Sequence, residues 1–137
     1  MKDSANRKGR KYILPRSRIL RGREPIQRLF RKGRMVREKH MDLRFLYIPG
    51  QPGLCLMGFI VGKRLGKAHE RNLIKRRMRE AYRKHQYLIR DITQSGKTGF
   101  QGILIAKKTA VPFEIVEKEC IRLLNKVQHD LLEHGKP

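Results

Sequence analysis

The chain has 137 residues, and 34 Lys and Arg residues against 12 Asp and Glu residues give it a formal net charge of +22. A charge this large predicts attraction to polyanions such as nucleic acids, with binding that weakens steeply as salt rises. The longest apolar run, residues 54–61, is too short to cross a bilayer, so we expect no membrane partner. Two cysteines, Cys55 and Cys120, are too few for a disulfide framework and lack metal-ligand spacing. We expect them to be buried thiols in a reducing cytoplasm.

The first part of the chain, residues 1–17, is polar and basic and is predicted to be a flexible arm. Residues 12–14 could dock as a short strand, and an Arg-rich transit peptide would have a similar composition. We favour an RNA-contacting arm, because a strongly basic helix follows in the chain. Residues 18–132 are predicted to form a single RNA-binding α/β domain, and residues 133–137 a polar C-terminal tail.

The first predicted helix runs from Pro25 to about Gly33. Proline suits the first turn of a helix, where its missing N–H costs no intrahelical bond, and glycine suits the stop. Ile26, Leu29 and Phe30 recur at the i, i+3, i+4 spacing of one helical face. This helix is therefore predicted to be amphipathic.

Two strands are predicted next, with a turn between them. Residues 40–48 alternate between the two sides of an extended chain, with apolar residues at every second position, which is the period of a strand. The sequence PGQPG at residues 49–53 predicts a turn. Residues 54–61 are predicted to be the hairpin partner of the first strand.

The second half of the chain is predicted to contain two helices and a third strand. Residues 62–68 form a glycine-punctuated loop, and a long basic helix extends over about 69–91. A polar connector at 93–99 leads to a buried β-rich run at 100–107, and a final helix covers about 112–132. The element order α-β-β-α-β-α indicates an α/β fold, an α+β sandwich in which helices cover a small sheet.

The long basic helix divides into two faces when residues are placed at about 100° intervals. Its apolar face contains Ile74, Met78, Ala81, Tyr82, Leu88 and Ile89. The adjoining face contains Arg71, Asn72, Lys75, Arg76, Arg79 and Arg83. Like charges four residues apart destabilise a helix unless a ligand compensates them, and only Glu70 and Glu80 offset them here. Lys63, Arg64 and Lys67 precede the helix, where free N–H groups and the helix dipole also favour phosphate. We therefore predict a nucleic-acid-binding surface rather than a merely solvated face.

This loop and helix resemble a known signature. Residues 62–68, GKRLGKA, and residues 71–82, RNLIKRRMREAY, are similar to the signature of the bacterial ribonuclease P protein component. Residues 26–33, IQRLFRKG, resemble the N-terminal helix of that family, and the order of elements fits from Arg18 to Val127. By this resemblance the chain is identified as a member of the family.

Two positions depart from the family pattern. Leu73 replaces the last residue of the family's Arg-Asn-Arg triplet, and the helical wheel places it opposite the apolar face, so we expect it to be exposed. Either Leu73 makes an apolar contact with RNA, or Arg77, one turn later, supplies the missing cation. Ile26 replaces the first aromatic residue of the N-terminal helix, which removes a stacking partner and leaves Phe30.

The resemblance implies a protein subunit that binds the catalytic RNA of ribonuclease P and the 5′ leader of precursor tRNA. The RNA would cleave off the leader with Mg²⁺ that it binds itself. The protein would have no intrinsic cofactor, no catalytic or metal-binding residue and no obligatory protein partner. The resemblance also implies a mixed sheet of about four strands with a left-handed βαβ crossover, whereas the ordinary expectation is a right-handed one.

The functional positions of the family map onto residues of this chain. The resemblance implies RNA binding by Lys63, Arg64, Lys67, Arg71, Asn72, Lys75, Arg76 and Arg79. It implies a leader-binding cleft lined by Ile26, Phe30 and Arg44. Guanidinium groups bind phosphates through paired hydrogen bonds, and an exposed aromatic ring offers a stacking surface to an unpaired base. Simple helix packing is the alternative role for Ile26 and Phe30.

The sequence has no arrangement typical of a protein nuclease. Its acidic residues are few and scattered, whereas two-metal hydrolysis of a phosphodiester needs convergent carboxylates. We therefore predict that the purified protein alone cleaves nothing. The alternative function is a ribosomal or generic structural RNA-binding protein without a role in catalysis, and a DNA-compacting protein fits the fixed motif less well.

Overall fold

A mixed four-stranded sheet is the centre of the computed structural model, which describes residues 13–134. The strands are β1 (Arg34–Arg37), β2 (Met41–Pro49), β3 (Cys55–Val61) and β4 (Thr98–Ala106). They lie in the order β1-β2-β4-β3. β2 is antiparallel to both of its neighbours, and β3 is parallel to β4. The predicted α/β class and the mixed sheet implied by the resemblance are therefore confirmed.

The predicted hairpin between residues 40–48 and 54–61 is wrong, because β4 lies between the two strands. Gly102 of β4 pairs with Phe45 on one side and with Met57 on the other. Strand β4 buries side chains on both faces of the sheet, which favours a central rather than an edge position.

The PGQPG turn bonds to the chain that enters β4 instead of closing a hairpin. The N–H of Gly50 donates to the carbonyl of Lys97 at 3.0 Å, and the N–H of Gly53 donates to the carbonyl of Thr93 at 2.8 Å. Gly50 and Gly53 have φ angles of 79° and 87°, in the left-handed region that favours glycine. The turn thus carries the chain across the beginning of β4 to its far side.

Strand β1 was not predicted, because four residues are too few to show an alternation. It pairs with β2, with Val36 opposite Leu43. The N–H of Glu38 donates to the carbonyl of Met41 at 2.9 Å in the short connection between the two strands. The additional strand extends the sheet at the edge opposite to β3.

Helices pack on both faces of the sheet. They are α1 (Arg23–Lys32), α2 (Ala68–His85), α3 (Tyr87–Ser95) and α4 (Phe113–His134). The single helix predicted over 69–91 is divided at Gln86, which is buried. The side-chain amide of Gln86 donates to the carbonyls of Arg83 and Ile13, each at 2.9 Å. These bonds tie the junction between α2 and α3 to the segment before α1.

The two faces of the sheet bury separate cores. Helices α2, α3 and α4 cover one face, where Phe45, Phe100 and Tyr82 are fully buried. Helix α1 covers part of the other face through Leu29, which packs on Ile103. The second core is small, so part of that face remains accessible between α1 and the strands.

Helices α2 and α3 lie in the connection between the parallel neighbours β3 and β4. These elements form a βαβ unit, and the left-handed crossover implied by the resemblance refers to this unit. Because a strand of the same sheet is attached at each end of the connection, the sheet determines where α2 lies.

The two cysteines are free and buried. Burial raises the pKa of Cys55 to about 11 and raises that of Cys120 well above its ordinary range. Both thiols are therefore protonated at neutral pH and poor nucleophiles.

Most of the predicted arm, residues 1–17, and of the predicted tail, residues 133–137, lies outside the described residues. Within residues 13–134, the segment 13–15 is not a strand, and α4 continues to its end at His134. None of the helices in this range combines the length and the apolar character needed to cross a membrane. No group of His, Cys, Asp and Glu side chains in it is arranged to hold a metal ion.

Candidate nucleic-acid interface

Helix α2 buries the side chains that its sequence pattern predicts. Ile74, Met78, Ala81 and Tyr82 are each at most 1% exposed and belong to the main core. The hydroxyl of Tyr82 lies 3.6 Å from the sulfur of Cys55 on β3. These contacts fix the rotation of α2 about its axis, so the opposite face points to solvent.

The predicted RNA-binding residues lie together on the solvent side of the loop and helix. We call the following set the basic surface: Lys63, Arg64, Lys67, Arg71, Asn72, Lys75, Arg76 and Arg79. All of them are exposed except Arg71, which is half-buried. The Nε atom of Arg71 is buried and has no hydrogen-bond partner among residues 13–134. Seven of the eight predicted residues are therefore accessible to a ligand.

The loop before α2 is held in place at its middle and at its junction with the helix. Leu65 packs against the main core, and its N–H donates to the carbonyl of Gly62 at 3.1 Å. The carboxylate of Glu70 accepts the backbone N–H of Lys67 at 2.7 Å, which caps the beginning of α2. Lys63 and Lys67 therefore extend from an ordered backbone rather than from a loose loop.

Acidic residues near the basic surface bond elsewhere. Glu70 accepts a backbone N–H, and Glu80 accepts hydrogen bonds from the Nε and Nη2 atoms of Arg83 at 3.0 and 2.5 Å. The hydrogen bond from Arg83 lowers the pKa of Glu80 below its ordinary range. In the described part of the chain, no cation of the basic surface forms an ion pair with a carboxylate.

Leu73 is 44% exposed, which confirms the prediction from the helical wheel. The guanidinium group of Arg77, one turn after Leu73, donates from its Nη1 to the carbonyl of Val111 at 2.7 Å. This bond holds the Arg77 side chain against the segment that leads into α4. The guanidinium group of Arg77 is therefore already bonded within the protein.

Two of the three predicted leader-binding residues touch each other. Phe30 is 45% exposed at the end of α1, and the guanidinium carbon of Arg44 lies 5.2 Å from the centre of its ring. Arg44 also donates to the carbonyl of Phe30 at 3.5 Å. An exposed ring beside a cation is a platform for a nucleobase and its phosphate. We call Phe30 and Arg44 the stacking pair.

Ile26 lies one turn earlier on α1 and faces a different cavity. This cavity, which we call the α1–α2 cleft, has a volume of about 710 Å³ and lies between the beginning of α1, strand β3 and helix α2. Ile26 shares it with Arg76 and Asn72 of the basic surface and with Arg21, which the sequence analysis did not single out. The structure therefore joins the two predicted sites through Ile26.

A cation that the sequence analysis did not identify lies beyond the end of β4. Val61 of β3 faces Ala106 of β4, so the loops that follow these strands start side by side. The hydroxyl of Thr109 donates to the carbonyl of Leu65 at 3.4 Å and ties the two loops together. Lys108 is exposed there and extends the basic surface. Only the parallel pairing could have indicated this residue, and the hairpin prediction concealed it.

Comparison with known families agrees with this geometry. A sequence model of the family described as Ribonuclease P matches residues 14–128, which is most of the chain. The chain belongs to the ribonuclease P protein family. The resemblance found in the sequence is therefore confirmed.

Individual ribonuclease P protein components match over different lengths. The protein of Desulfovibrio desulfuricans is 37% identical over 78 residues, which are 56% of this chain and 59% of that protein. The protein of Chlamydia pneumoniae is 51% identical over 45 residues, which are 31% of this chain and 32% of that protein. The protein of Nitrosomonas eutropha is 28% identical over 123 residues, which are 88% of this chain and 95% of that protein.

Solved structures of ribonuclease P proteins share the fold. The protein from Staphylococcus aureus superposes with a TM-score of 0.66 at 21% identity, covering 80% of this chain and 94% of that one. The protein from Thermotoga maritima superposes with a TM-score of 0.64 at 24% identity, covering 79% and 96%. At these identities the superpositions establish the architecture alone.

Proposed function

We propose that this chain is the protein subunit of ribonuclease P. In this role it binds the catalytic RNA and the 5′ leader of precursor tRNA, and it promotes the endonucleolytic cleavage that matures the 5′ end of tRNA. The observation that carries the proposal is the basic surface: a fixed row of cations without acidic partners among residues 13–134. Such a row repels itself and is stabilised when phosphates neutralise it.

The basic surface would bind the catalytic RNA. The guanidinium groups of Arg71, Arg76 and Arg79 suit bidentate bonds to phosphate oxygens, and the ammonium groups of Lys63 and Lys67 act as point charges. The amide of Asn72 can bond to sugar hydroxyls or base edges. It can do so both as a donor and as an acceptor, whereas arginine is a donor only.

The stacking pair would bind the single-stranded leader. The ring of Phe30 is accessible to an unpaired base, and stacking of this kind contributes about 1–3 kcal/mol per base. Arg44 lies beside the ring at 5.2 Å and would neutralise the adjacent phosphate. Ile26, which faces the α1–α2 cleft, would contribute apolar surface at the junction of the two sites.

The cleavage chemistry would belong to the RNA, with Mg²⁺ bound mainly by the RNA stabilising the charge that develops on the phosphate. The protein's own residues bind, orient and neutralise. We also propose a cytoplasmic location, supported by two buried free thiols that suit a reducing compartment. Cell fractionation with an antibody against the chain tests the location, and recovery in an oxidising compartment would contradict it.

Reconstituted cleavage tests the main proposal. Labelled precursor tRNA is incubated with the ribonuclease P RNA of the same organism, with and without the chain, at low and high Mg²⁺. We expect the chain to restore cleavage at low Mg²⁺ and the RNA-free chain to cleave nothing. Identical rates with and without the chain at every Mg²⁺ concentration would exclude a role in cleavage. Activity of the chain alone would show that the chemistry is assigned to the wrong partner.

A further inference from the structure

The α1–α2 cleft has two chemically different parts, and the basic surface accounts for only one of them. Its volume of about 710 Å³ lies within the range of cavities that hold small ligands, about 300–1,000 Å³. Its floor is apolar, and its rim is cationic. Binding of a phosphate backbone would use the rim and leave the floor without a function.

The floor of the cleft is formed by apolar side chains from three elements. They are Ile19, Leu20, Ile26, Phe59 and Ile60. Leu20 and Phe59 are buried, and the other three are half-buried, so the floor offers accessible apolar surface at its centre. The N–H of Leu20 donates to the carbonyl of Met57 at 3.0 Å, which holds the segment before α1 against the edge of β3. The floor is thus ordered before any ligand binds.

Gly22 keeps the entrance of the cleft open beside α1. Its φ angle is 102°, a left-handed conformation in which side chains are strained, so glycine suits this position. Gly22 lines the cleft without projecting a side chain into it. Any other residue would place a Cβ atom at 3.5 Å from the ring of Pro25 in a strained conformation.

The rim carries the charge. Arg21 lies on the α1 side, and Lys75, Arg76 and Arg79 lie on the α2 side together with the amide of Asn72. All five side chains are exposed, and none of these cations is paired with a carboxylate within residues 13–134. Positive charge on both sides of an apolar floor matches a ligand that has an apolar face between two anionic groups.

A single nucleotide in an RNA strand has this distribution of charge. Its base presents a flat apolar face and a polar edge, and a phosphate precedes and follows it. An inorganic phosphate would use the rim alone, and an apolar peptide side chain would use the floor alone. Proteins that recognise RNA at defined positions mostly bind unpaired bases turned out of their stack.

We infer that the α1–α2 cleft holds one unpaired nucleotide of the catalytic RNA, with its base on the apolar floor and its two phosphates on the rim. The base edge lies toward the amide of Asn72. This inference rests on the proposed function, from which it takes the RNA partner. It adds a pocket for the flat face of one base to a surface that otherwise binds phosphates, sugars and base edges.

The first experiment fills the floor without changing the charge. Ile60→Trp inserts a large side chain into the cleft, and Ile115→Trp makes the same exchange at an exposed position on α4 as the matched control. We expect Ile60→Trp to weaken binding of the catalytic RNA about tenfold, the size of a lost base-stacking contact, with an unchanged salt dependence. Ile115→Trp should bind like the wild type. Thermal unfolding of both variants checks that they are folded.

The second experiment begins with the wild-type chain, so its first result does not depend on how Ile60→Trp folds. Base-reactive probing of the catalytic RNA should show one unpaired base that the chain protects and that Ile60→Trp leaves reactive. Replacing that nucleotide by an abasic one should cost the same factor in affinity. The two changes together should cost no more than either alone, because they remove the same contact.

The outcomes separate the inference from the proposed function. If the wild-type chain binds the RNA but no base is protected, or if Ile60→Trp binds and protects like the wild type, the cleft does not hold a base and the proposed function stands. Protection of a base in the precursor leader instead of the catalytic RNA would overturn the assigned source. If the wild-type chain does not bind the RNA at all, the proposed function itself fails.

Discussion

Helices α2 and α4 both pack on the same side of the sheet, but their exposed cations have different surroundings. On α4, Arg122 and Lys126 bond to the carboxylate of Glu38 at 2.9 and 2.7 Å. On α2, Lys75 and Arg76 have no carboxylate in ion-pair distance within the described residues. The two helices show that basic character by itself does not distinguish a binding surface; the distribution of the acids does.

Other pairs confirm that the acids on the α4 side join elements of the fold. Asp130 accepts two hydrogen bonds from Arg34 of β1, at 2.8 and 2.7 Å, and another from the hydroxyl of Tyr47 on β2. His40, between β1 and β2, bonds to Glu119 through its backbone N–H at 2.9 Å and its ring at 2.5 Å. These acids attach α4 to the edge of the sheet, whereas the cations that α2 contributes to the basic surface remain available to a ligand.

The largest effect on stability is expected at Glu119. This residue is 2% exposed, and Glu119→Ala would leave the backbone N–H and the ring of His40 without their acceptor. We expect a loss of about 2 kcal/mol in the free energy of unfolding, measured by urea denaturation. Lys118→Ala on the same helix is the exposed control. An unchanged midpoint for Glu119→Ala would show that the pairs on α4 are not structural.

A smaller effect, on RNA binding and not on stability, is expected at Arg76. Arg76→Ala should weaken binding of the catalytic RNA and reduce the slope of log affinity against log salt by about one unit. Arg71→Ala should act in the same direction. Arg122→Ala removes a guanidinium group from the acid-paired side and should leave the slope unchanged. Equal slopes of log affinity against log salt for Arg76→Ala and Arg122→Ala would show that the exposed cations of α2 and α4 do not differ in RNA binding.

A still smaller effect is expected when acid breaks the pairs on α4. Burial alone would raise the pKa of Glu38, but hydrogen bonds from Lys126 and Arg122 outweigh it and leave the pKa below its ordinary range. A carboxylate with a lowered pKa stabilises the fold at neutral pH, and this stabilisation is lost as the pH falls below the unfolded-state value of about 4.3.

Thermal unfolding between neutral and acidic pH measures this contribution. On acidification, the melting temperature of Glu38→Gln should fall less than that of the wild type, because the variant no longer has the carboxylate that becomes protonated. Glu114→Gln, on the exposed first turn of α4, should follow the wild type. If the melting temperatures of Glu38→Gln and the wild type fell by the same amount on acidification, the carboxylate of Glu38 would not be a source of stability.

The smallest effect is expected at Leu73. Its side chain is exposed on the solvent side of α2, so Leu73→Arg should bury nothing and should add a cation next to the basic surface. We expect RNA affinity to stay within about twofold or to improve, since one exposed cation adds one phosphate contact at most. A tenfold loss in a filter-binding assay would show that the leucine itself contacts the RNA.

The parts of the molecule that the sequence predicted are those determined by local spacing. The buried face of α2, the exposed position of Leu73 and the row of cations all follow from the helical period, which needs no knowledge of distant contacts. The helix break at Gln86 was missed because its buried amide bonds to the carbonyl of Ile13, 73 positions away in the chain. A helical wheel contains no information about such a bond.

The parts that were missed depend on pairing between distant segments. The position of β4 between β2 and β3 reflects burial on both of its faces, and turn signals favoured the wrong neighbour. The ion pair between Arg34 and Asp130 joins residues 96 positions apart, so no local pattern could separate this arginine from those that bind a ligand. Arg21 and Lys108 were missed for the same reason, because their sites are assembled from several elements.

The central position of β4 has a consequence for how the protein is made. When residues up to about 97 have left the ribosome, β2 and β3 have been synthesised but the strand that lies between them has not. Until it arrives, both strands have open edges that can pair with other chains. The helix that carries most of the basic surface is complete by then, yet it has no finished sheet to pack on. Nascent chains would thus expose the cations of this helix to solvent before the sheet beneath it is complete.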